Sequence, residues 1–333
     1  MKAAPIRNYL SFWNILRTLL AFLLMAFVLS KTDVRQLPGL FAGVSIQWVV
    51  LALVLYLSLT LLKALQYYVL IGREVTYPQV LNVVILQNMV SNFLASGAGV
   101  VSYLTLLRVE HDVKVSRSMA MFLLTKIGDL IMLWLALLAT TPMVWSHVGA
   151  IRNIVIGLLA GIGIVLGFFL FTLIFRRKFV MLVLSVLDRL GYSEISLIRK
   201  GLDMLQALSE IEHSRLFGKS ARVFFLSMVY FSVSVAFYYS NFMAFNVRMD
   251  IATLVFVNVF IQLISYIPIQ IFGGLGIAET SSMYLWSIFG MMQSALAPIL
   301  VGMRILFYLF NLVPLIYLPV YPIFFDKTTD LAD

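Results

Sequence analysis

Six ionisable side chains stand inside long apolar runs: Arg17, Lys63, Lys126, Asp129, Glu279 and Arg304. An unpaired charge in hydrocarbon is costly, so such residues by default mark a binding site or a transport path. Four cations face two carboxylates, and the excess positive charge is one that a lipid phosphate would balance. Anion binding suits this set better than bond-making. The three histidines, His111, His147 and His213, read as loop residues without metal-ligand spacing, which removes the usual general base and zinc sites. Asp129 has no second buried aspartate with which to form a catalytic dyad. There is no cysteine for a thiol nucleophile or a disulfide, and no Walker A sequence for ATP-driven pumping.

Each of these residues also has a structural reading. Lys126 and Asp129 lie three apart on one helix face, where they can neutralise each other. Glu279 falls in the first helical turn after Gly276, a position that suits capping. Arg304 has no carboxylate nearby in its own span, so its partner is Glu279, the other half of the chain, or a ligand. Arg17 and Lys63 sit toward the cytoplasmic ends of their runs, within snorkelling reach of a surface. Asn88 and Asn92 share a helix face with neighbouring amides, which either glue helices together or line a polar cavity. Two glycine clusters, Gly97 with Gly99 and Gly273 with Gly274 and Gly276, permit tight reversals and close backbone approach to an anion.

These residues must be positioned by membrane helices. Of the 333 residues 62% are hydrophobic and only 12% charged, and the apolar runs have the length of bilayer-crossing helices rather than barrel strands. Crossing segments are expected near 10–30, 46–71, 118–145, 153–175, 222–246 and 293–325, the last kinked by Pro298, Pro314 and Pro319. The first run lacks a cleavage site and reads as a retained span rather than a signal peptide. The net charge of +9 is held at span ends and in one loop, a pattern of membrane insertion rather than of nucleic-acid binding.

Basic residues at span ends place the N-terminus and the loop carrying Arg177 and Lys178 in the cytoplasm. Counting crossings from both then leaves both ends of segment 79–107 on the inner side and both ends of segment 252–290 on the outer side. Each is therefore expected to be a re-entrant hairpin broken at its glycines, and the two would point at each other. Halves 1–152 and 153–333 then share one layout with opposite orientation, with Gly99 to Lys126 spaced nearly as Gly276 to Arg304. Such inverted repeats with broken helices are an architecture of secondary transporters. Segment 177–221 reads either as amphipathic helix on the cytoplasmic face or as a plain connector.

The run Ile267-Pro268-Ile269-Gln270-Ile271-Phe272-Gly273-Gly274-Leu275-Gly276-Ile277-Ala278-Glu279, followed by Arg304, resembles the lysylphosphatidylglycerol synthase transmembrane region, a family of flippase-like membrane proteins. Asn92-Phe93-Leu94, Arg108 and Lys126-Ile127-Gly128-Asp129 agree with it in the first half. The resemblance implies a lipid flippase and adds Arg108 to the site residues. Ser96-Gly97 and Lys126 depart from the family's Pro-Gly and arginine, which opens head-group preference to change. The soluble aminoacyl-transferring domain is missing from this sequence, an argument against lipid synthesis by the chain itself.

The expectation is thus an all-α, polytopic inner-membrane helix bundle of about six spans and two hairpins, with cytoplasmic termini. It would move an anionic phospholipid or a polyprenyl-phosphate-linked lipid between leaflets, without a cofactor. A lipid-modifying transferase and a scaffold for a partner glycosyltransferase or lipid-synthesis enzyme are the alternatives. Self-association is compatible with the sequence.

Overall fold

The computed structural model describes residues 12–31, 37–72, 75–189, 213–266 and 272–325, and every regular element among them is helical. Helix α1 is Phe12–Ser30, α2 Leu37–Ala42, α3 Ile46–Ile71, α4 Tyr77–Phe93, α5 Ser96–Val109, α6 Val115–Val144 and α7 Arg152–Arg189. The second half continues with α8 His213–Ala244, α9 Ile251–Ser265, α10 Ile277–Ile288, α11 Gln293–Leu312 and α12 Tyr317–Phe325.

Five described stretches are long and apolar enough to cross a bilayer: 46–71, 115–144, 148–171, 218–244 and 293–321. Only between 11% and 44% of the apolar window in each is fully buried, so much apolar surface is left open to the surroundings. In water that surface would be prohibitive; in lipid it is the ordinary exterior of a bundle. Helix α1, at 19 residues, occupies the place of the expected first span and packs on α10 and α11. The expected kink of the last span is a 3-10 turn, Val313–Ile316, that opens on Pro314 and separates α11 from α12. Proline has no N–H for the helical ladder, so the turn falls there.

Segments 79–107 and 252–290 are both helical hairpins. In the first, α4 and α5 lie antiparallel, and Gly99 faces Ser91 and Gln87 across the pair. The break falls at Leu94–Ala95 rather than at the glycines, which form the first turn of α5. Gly99 is needed for approach, not reversal: a Cβ there would stand 1.9 Å from Ser91 Oγ. Gly97 has no such neighbour within 4 Å. The second hairpin pairs α9 with α10, with Phe256 against Phe289 at 6.0 Å between ring centroids. In the described part of its connection, residues 272–276, φ is left-handed at Gly273 (63°), Gly274 (80°) and Gly276 (78°), a region that costs other residues dearly. Phe272 shares that conformation (φ 49°), held by tertiary bonds on both its backbone groups. Its N–H donates to Leu94 O at 2.9 Å, and its carbonyl accepts from Tyr308 Oη at 2.7 Å. The tips of the two hairpins therefore touch, backbone to backbone.

Two apolar cores hold the bundle. One gathers Ala64, Tyr67, Leu107, Leu124 and Val223; the other gathers Tyr56, Leu133, Phe256, Trp286 and Phe310. Along α3 the change from one to the other runs from Tyr56 to Ala64, and along α6 from Leu124 to Leu133. Between them each helix carries polar or charged residues: Thr60 and Lys63 on α3, Lys126 and Asp129 on α6. Asp129 stands at the middle of its helix, so this belt lies near the centre of the bundle.

Parts of the expected insertion 177–221 are continuations of α7 and α8; residues 190–212 lie outside the described residues, as do both termini and Pro268. Gly99→Ala is expected to destabilise the detergent-purified protein by about 1–3 kcal/mol, the usual range for overpacking. Gly97→Ala should be neutral or stabilising by up to about 1 kcal/mol, since it removes a helical glycine without a clash. Equal melting temperatures for the two variants would refute the close-approach account.

Candidate functional site

Asp129 anchors the belt. Its Oδ2 accepts from Lys63 Nζ at 2.7 Å, and its Oδ1 accepts from Ser227 Oγ at 3.1 Å and from Gln66 Nε2 at 3.3 Å. Gln66 Nε2 also donates to Ser227 Oγ at 2.9 Å. Three helices, α3, α6 and α8, thus meet on one carboxylate. Gly128 makes the meeting feasible, because a Cβ there would stand 2.7 Å from Ser227 Oγ.

Of the two readings open for Lys126 and Asp129, mutual pairing is not the one found: Lys63, from another helix, forms the ion pair with Asp129. Nor does Lys63 snorkel. The end of α3 at Ile71 lies about 12 Å further along the axis at 1.5 Å per residue, and the Lys63 ammonium rests on the Tyr230 ring at 4.1 Å. Lys126 is left without a carboxylate partner among the described residues. Its ammonium lies 4.9 Å from the Tyr266 ring centroid and 5.6 Å from that of Phe122.

Lys63, Lys126 and Asp129 line a cavity of about 360 Å³ with Asn88, Asn92 and Gln262. The cavity also reaches Ser96, at the start of α5, and Gly273, at the tip of the second hairpin. Asn92 Nδ2 donates to Asn311 Oδ1, which also accepts from Tyr56 Oη at 2.6 Å. This amide node ties α4 to α11 and α3 at the edge of the cavity.

Arg304 and Glu279 form a second centre beside the first. They are an ion pair with side chains only 8% and 5% exposed. The other carboxylate oxygen of Glu279 accepts from Gly276 N at 2.7 Å, so Glu279 is both helix cap and counter-ion. Arg304 Nη1 donates to Gly273 O at 3.0 Å and Nη2 to Gly274 O at 3.5 Å. Among the alternatives open to Arg304, the partner is Glu279 together with the glycine turn. The turn accordingly presents carbonyls to a cation, where the sequence led us to expect N–H groups presented to an anion. A smaller cavity of about 160 Å³ adjoins this pair and shares Tyr238, Gly273 and Phe307 with the larger one.

Arg108 stands apart. Its side chain is 52% exposed and pairs with Asp112 at 3.0 Å, in the last turn of α5. Gly97 and Gly99 lie beside Ser96 without lining the cavity, and nothing is described of the Arg17 side chain. Sequence reasoning missed Gln66, Ser227, Tyr56, Tyr230 and Tyr266. The Gly128-Asp129 pair was a signal for Ser227, since a small residue beside a buried carboxylate marks the approach of another helix.

Removing one member of a buried pair leaves an uncompensated charge and costs about 3–5 kcal/mol, whereas apolar replacement of both is far milder. Asp129→Asn is expected to show the full loss, and Lys63→Met combined with Asp129→Leu to recover most of it, in thermal unfolding of the purified protein. A double variant as unstable as the single would mean that the pair is not what Asp129 contributes.

A model of the family described as the lysylphosphatidylglycerol synthase TM region matches residues 14–314. Comparison with curated proteins and with solved structures gave no significant match. The match runs from α1 into the Pro314 turn and includes both hairpins, both ion-pair centres and the cavity between them. With its apolar spans and their lipid-facing exteriors, the chain is an integral membrane protein, and it belongs to the family of the lysylphosphatidylglycerol synthase transmembrane region, a membrane domain associated with lipid synthesis and flippase-like function.

Proposed function

We propose that this chain is a lipid translocase that carries an anionic, phosphate-bearing lipid head group between leaflets through the cavity at the hairpin tips, without ATP hydrolysis. The observation that carries the reading is Lys126, a cation in the central belt that lines the cavity and has no carboxylate partner among the described residues. A lone charge at the bilayer centre costs about 2.5–3.5 kcal/mol on insertion scales. Contact with aromatic faces returns about 0.5–2 kcal/mol, which leaves a deficit. A lipid phosphate against Lys126 removes it.

The surroundings support the same reading. Helix α5 begins at the cavity with Ser96 and has no side-chain cap at Ala95, so the positive end of its dipole adds to the field of Lys126. Lys63 is held by Asp129 and serves as an auxiliary cation, while Asn88 and Asn92 offer uncharged hydrogen bonds. Arg304 and Glu279 hold the second hairpin in shape, and Gly273 stands where that turn meets the cavity. Arg108 contributes at the surface rather than at the head group.

In this reading halves 1–152 and 153–333 are inverted repeats, the hairpins enter from opposite faces, and both termini are cytoplasmic in an inner membrane. Alternating access is then a rocking of one half against the other about the cavity. The lipid is the substrate and is not covalently changed.

A leaflet-exchange assay in proteoliposomes tests the proposal, with fluorescent phosphatidylglycerol and a membrane-impermeant quencher. Lys126→Gln is expected to slow exchange at least about tenfold, since a charge-assisted hydrogen bond contributes about 1.5–3 kcal/mol. Lys126→Arg should retain most activity. An unchanged rate in well-folded Lys126→Gln protein would sink the assignment, and a new covalent lipid species in extracts would identify a transferase instead.

A further inference from the structure

On the outside of the bundle α3 and α8 leave an open groove of about 450 Å³, away from the hairpins. It is lined by Leu65 and Val69 from α3 and by Ala221, Arg222, Phe225 and Leu226 from α8. At about 100° of turn per residue, Leu65 and Val69 stand about 200° and 240° round α3 from Lys63, which lines the central cavity. The groove therefore opens on the lipid side of the helix. Apart from Arg222 its lining is apolar.

Arg222 is exposed and makes no hydrogen bond or ion pair among the described residues, and no carboxylate lines the groove. The duty that a cation could have at this end of α3 is already filled. Leu70 O accepts from Lys219 Nζ at 2.9 Å, and Ile71 O accepts from Arg117 Nη2 at 3.2 Å. Arg222 also lies deep. It stands five residues before Ser227, which bonds to Asp129, and so about 7.5 Å along α8 from the belt. The polar head groups begin about 15 Å from the bilayer centre. The backbone at Arg222 thus lies within the hydrocarbon, and the phosphates above the groove are the anions that its side chain reaches by snorkelling.

We propose that this groove is a second lipid site, which holds an anionic phospholipid of the bilayer with one acyl chain against Leu65, Val69 and Phe225 and its phosphate on Arg222. The acyl chain confers no selectivity, since all lipid tails are about as apolar as leucine. The guanidinium does: its planar fork suits a phosphate, and the ammonium of a zwitterionic head group opposes it. The groove and the central cavity share no lining residue, so this lipid is bound rather than carried. Seated there, it spans the seam between α3 and α8, the two helices that Lys63 and Ser227 tie to Asp129.

The test is made at the groove, with the full chain reconstituted in bilayers. Phe225→Trp, at a side chain 57% exposed, adds an indole beside the proposed acyl chain. Its fluorescence is the difference between this variant and the unsubstituted protein. Phosphatidylcholine brominated in its acyl chains quenches the indole and is displaced by unbrominated phosphatidylglycerol or phosphatidylcholine of the same chain length. Phosphatidylglycerol is expected to displace it about fivefold more effectively, the contribution of one basic residue meeting anionic lipid. Arg222→Gln should bring the two lipids level, Arg222→Lys should retain most of the preference, and Lys126→Gln should leave it intact. Equal displacement by the two lipids with Arg222 present overturns the proposal, as does a preference that survives Arg222→Gln. A preference that vanishes in Lys126→Gln overturns it too, because the indole would then be reporting on the central cavity. Leaflet exchange plays no part in this readout, so the groove site and the translocase reading stand or fall separately.

Discussion

A carboxylate in the middle of a lipid-facing bundle has to be surrounded by donors, and most of this architecture answers that one demand. Asp129 accepts from Lys63, Gln66 and Ser227, which fixes the mutual rotation of α3, α6 and α8. Packing among apolar helices in lipid has little hydrophobic drive, so polar ties of this kind and close backbone approach set the register. Gly128 supplies the close approach. The two apolar cores then lie on either side of the belt, and the cavity occupies the space that the tied helices leave toward the hairpins.

The second ion pair works differently. Arg304 and Glu279 satisfy each other, and the remaining donors of the guanidinium go to the carbonyls of Gly273 and Gly274. Every polar group of that pair is spent on the shape of a turn that has almost no side chains of its own. Asp129 leaves Lys126 over; Glu279 leaves nothing over. One centre therefore holds a surplus cation beside open space while its neighbour serves as a brace.

Much of the layout was legible in the sequence, because the length of an apolar run is a direct reading of the length of a helix. Segment 46–71 coincides with α3, and helical hairpins are found at both of the glycine-broken segments. Pairing was less legible. Spacing along one helix suggested Lys126 for Asp129, yet the partner came from α3, since rotation about helix axes is decided by contacts far apart in sequence. Ser227 and Tyr230 stand in a run that reads as lipid-facing, and only Gly128 on another helix hinted otherwise. The glycines of the first hairpin were legible as important but not for the right reason: Gly99 admits a neighbouring helix, and the chain reverses at Leu94–Ala95. Arg304 looked available to a ligand because its carboxylate lies on a separate helix, 25 residues away.

The contact between the hairpin tips runs from the Phe272 N–H to the Leu94 carbonyl, and neither side chain takes part in that bond. A seam made of main-chain atoms depends on the path of the backbone rather than on the two side chains it joins, and here that path is set by the left-handed turn at Gly273 and Gly274. Leu94 and Phe272 can therefore change in bulk and polarity while the bond between the hairpins persists, whereas the glycines beside them cannot.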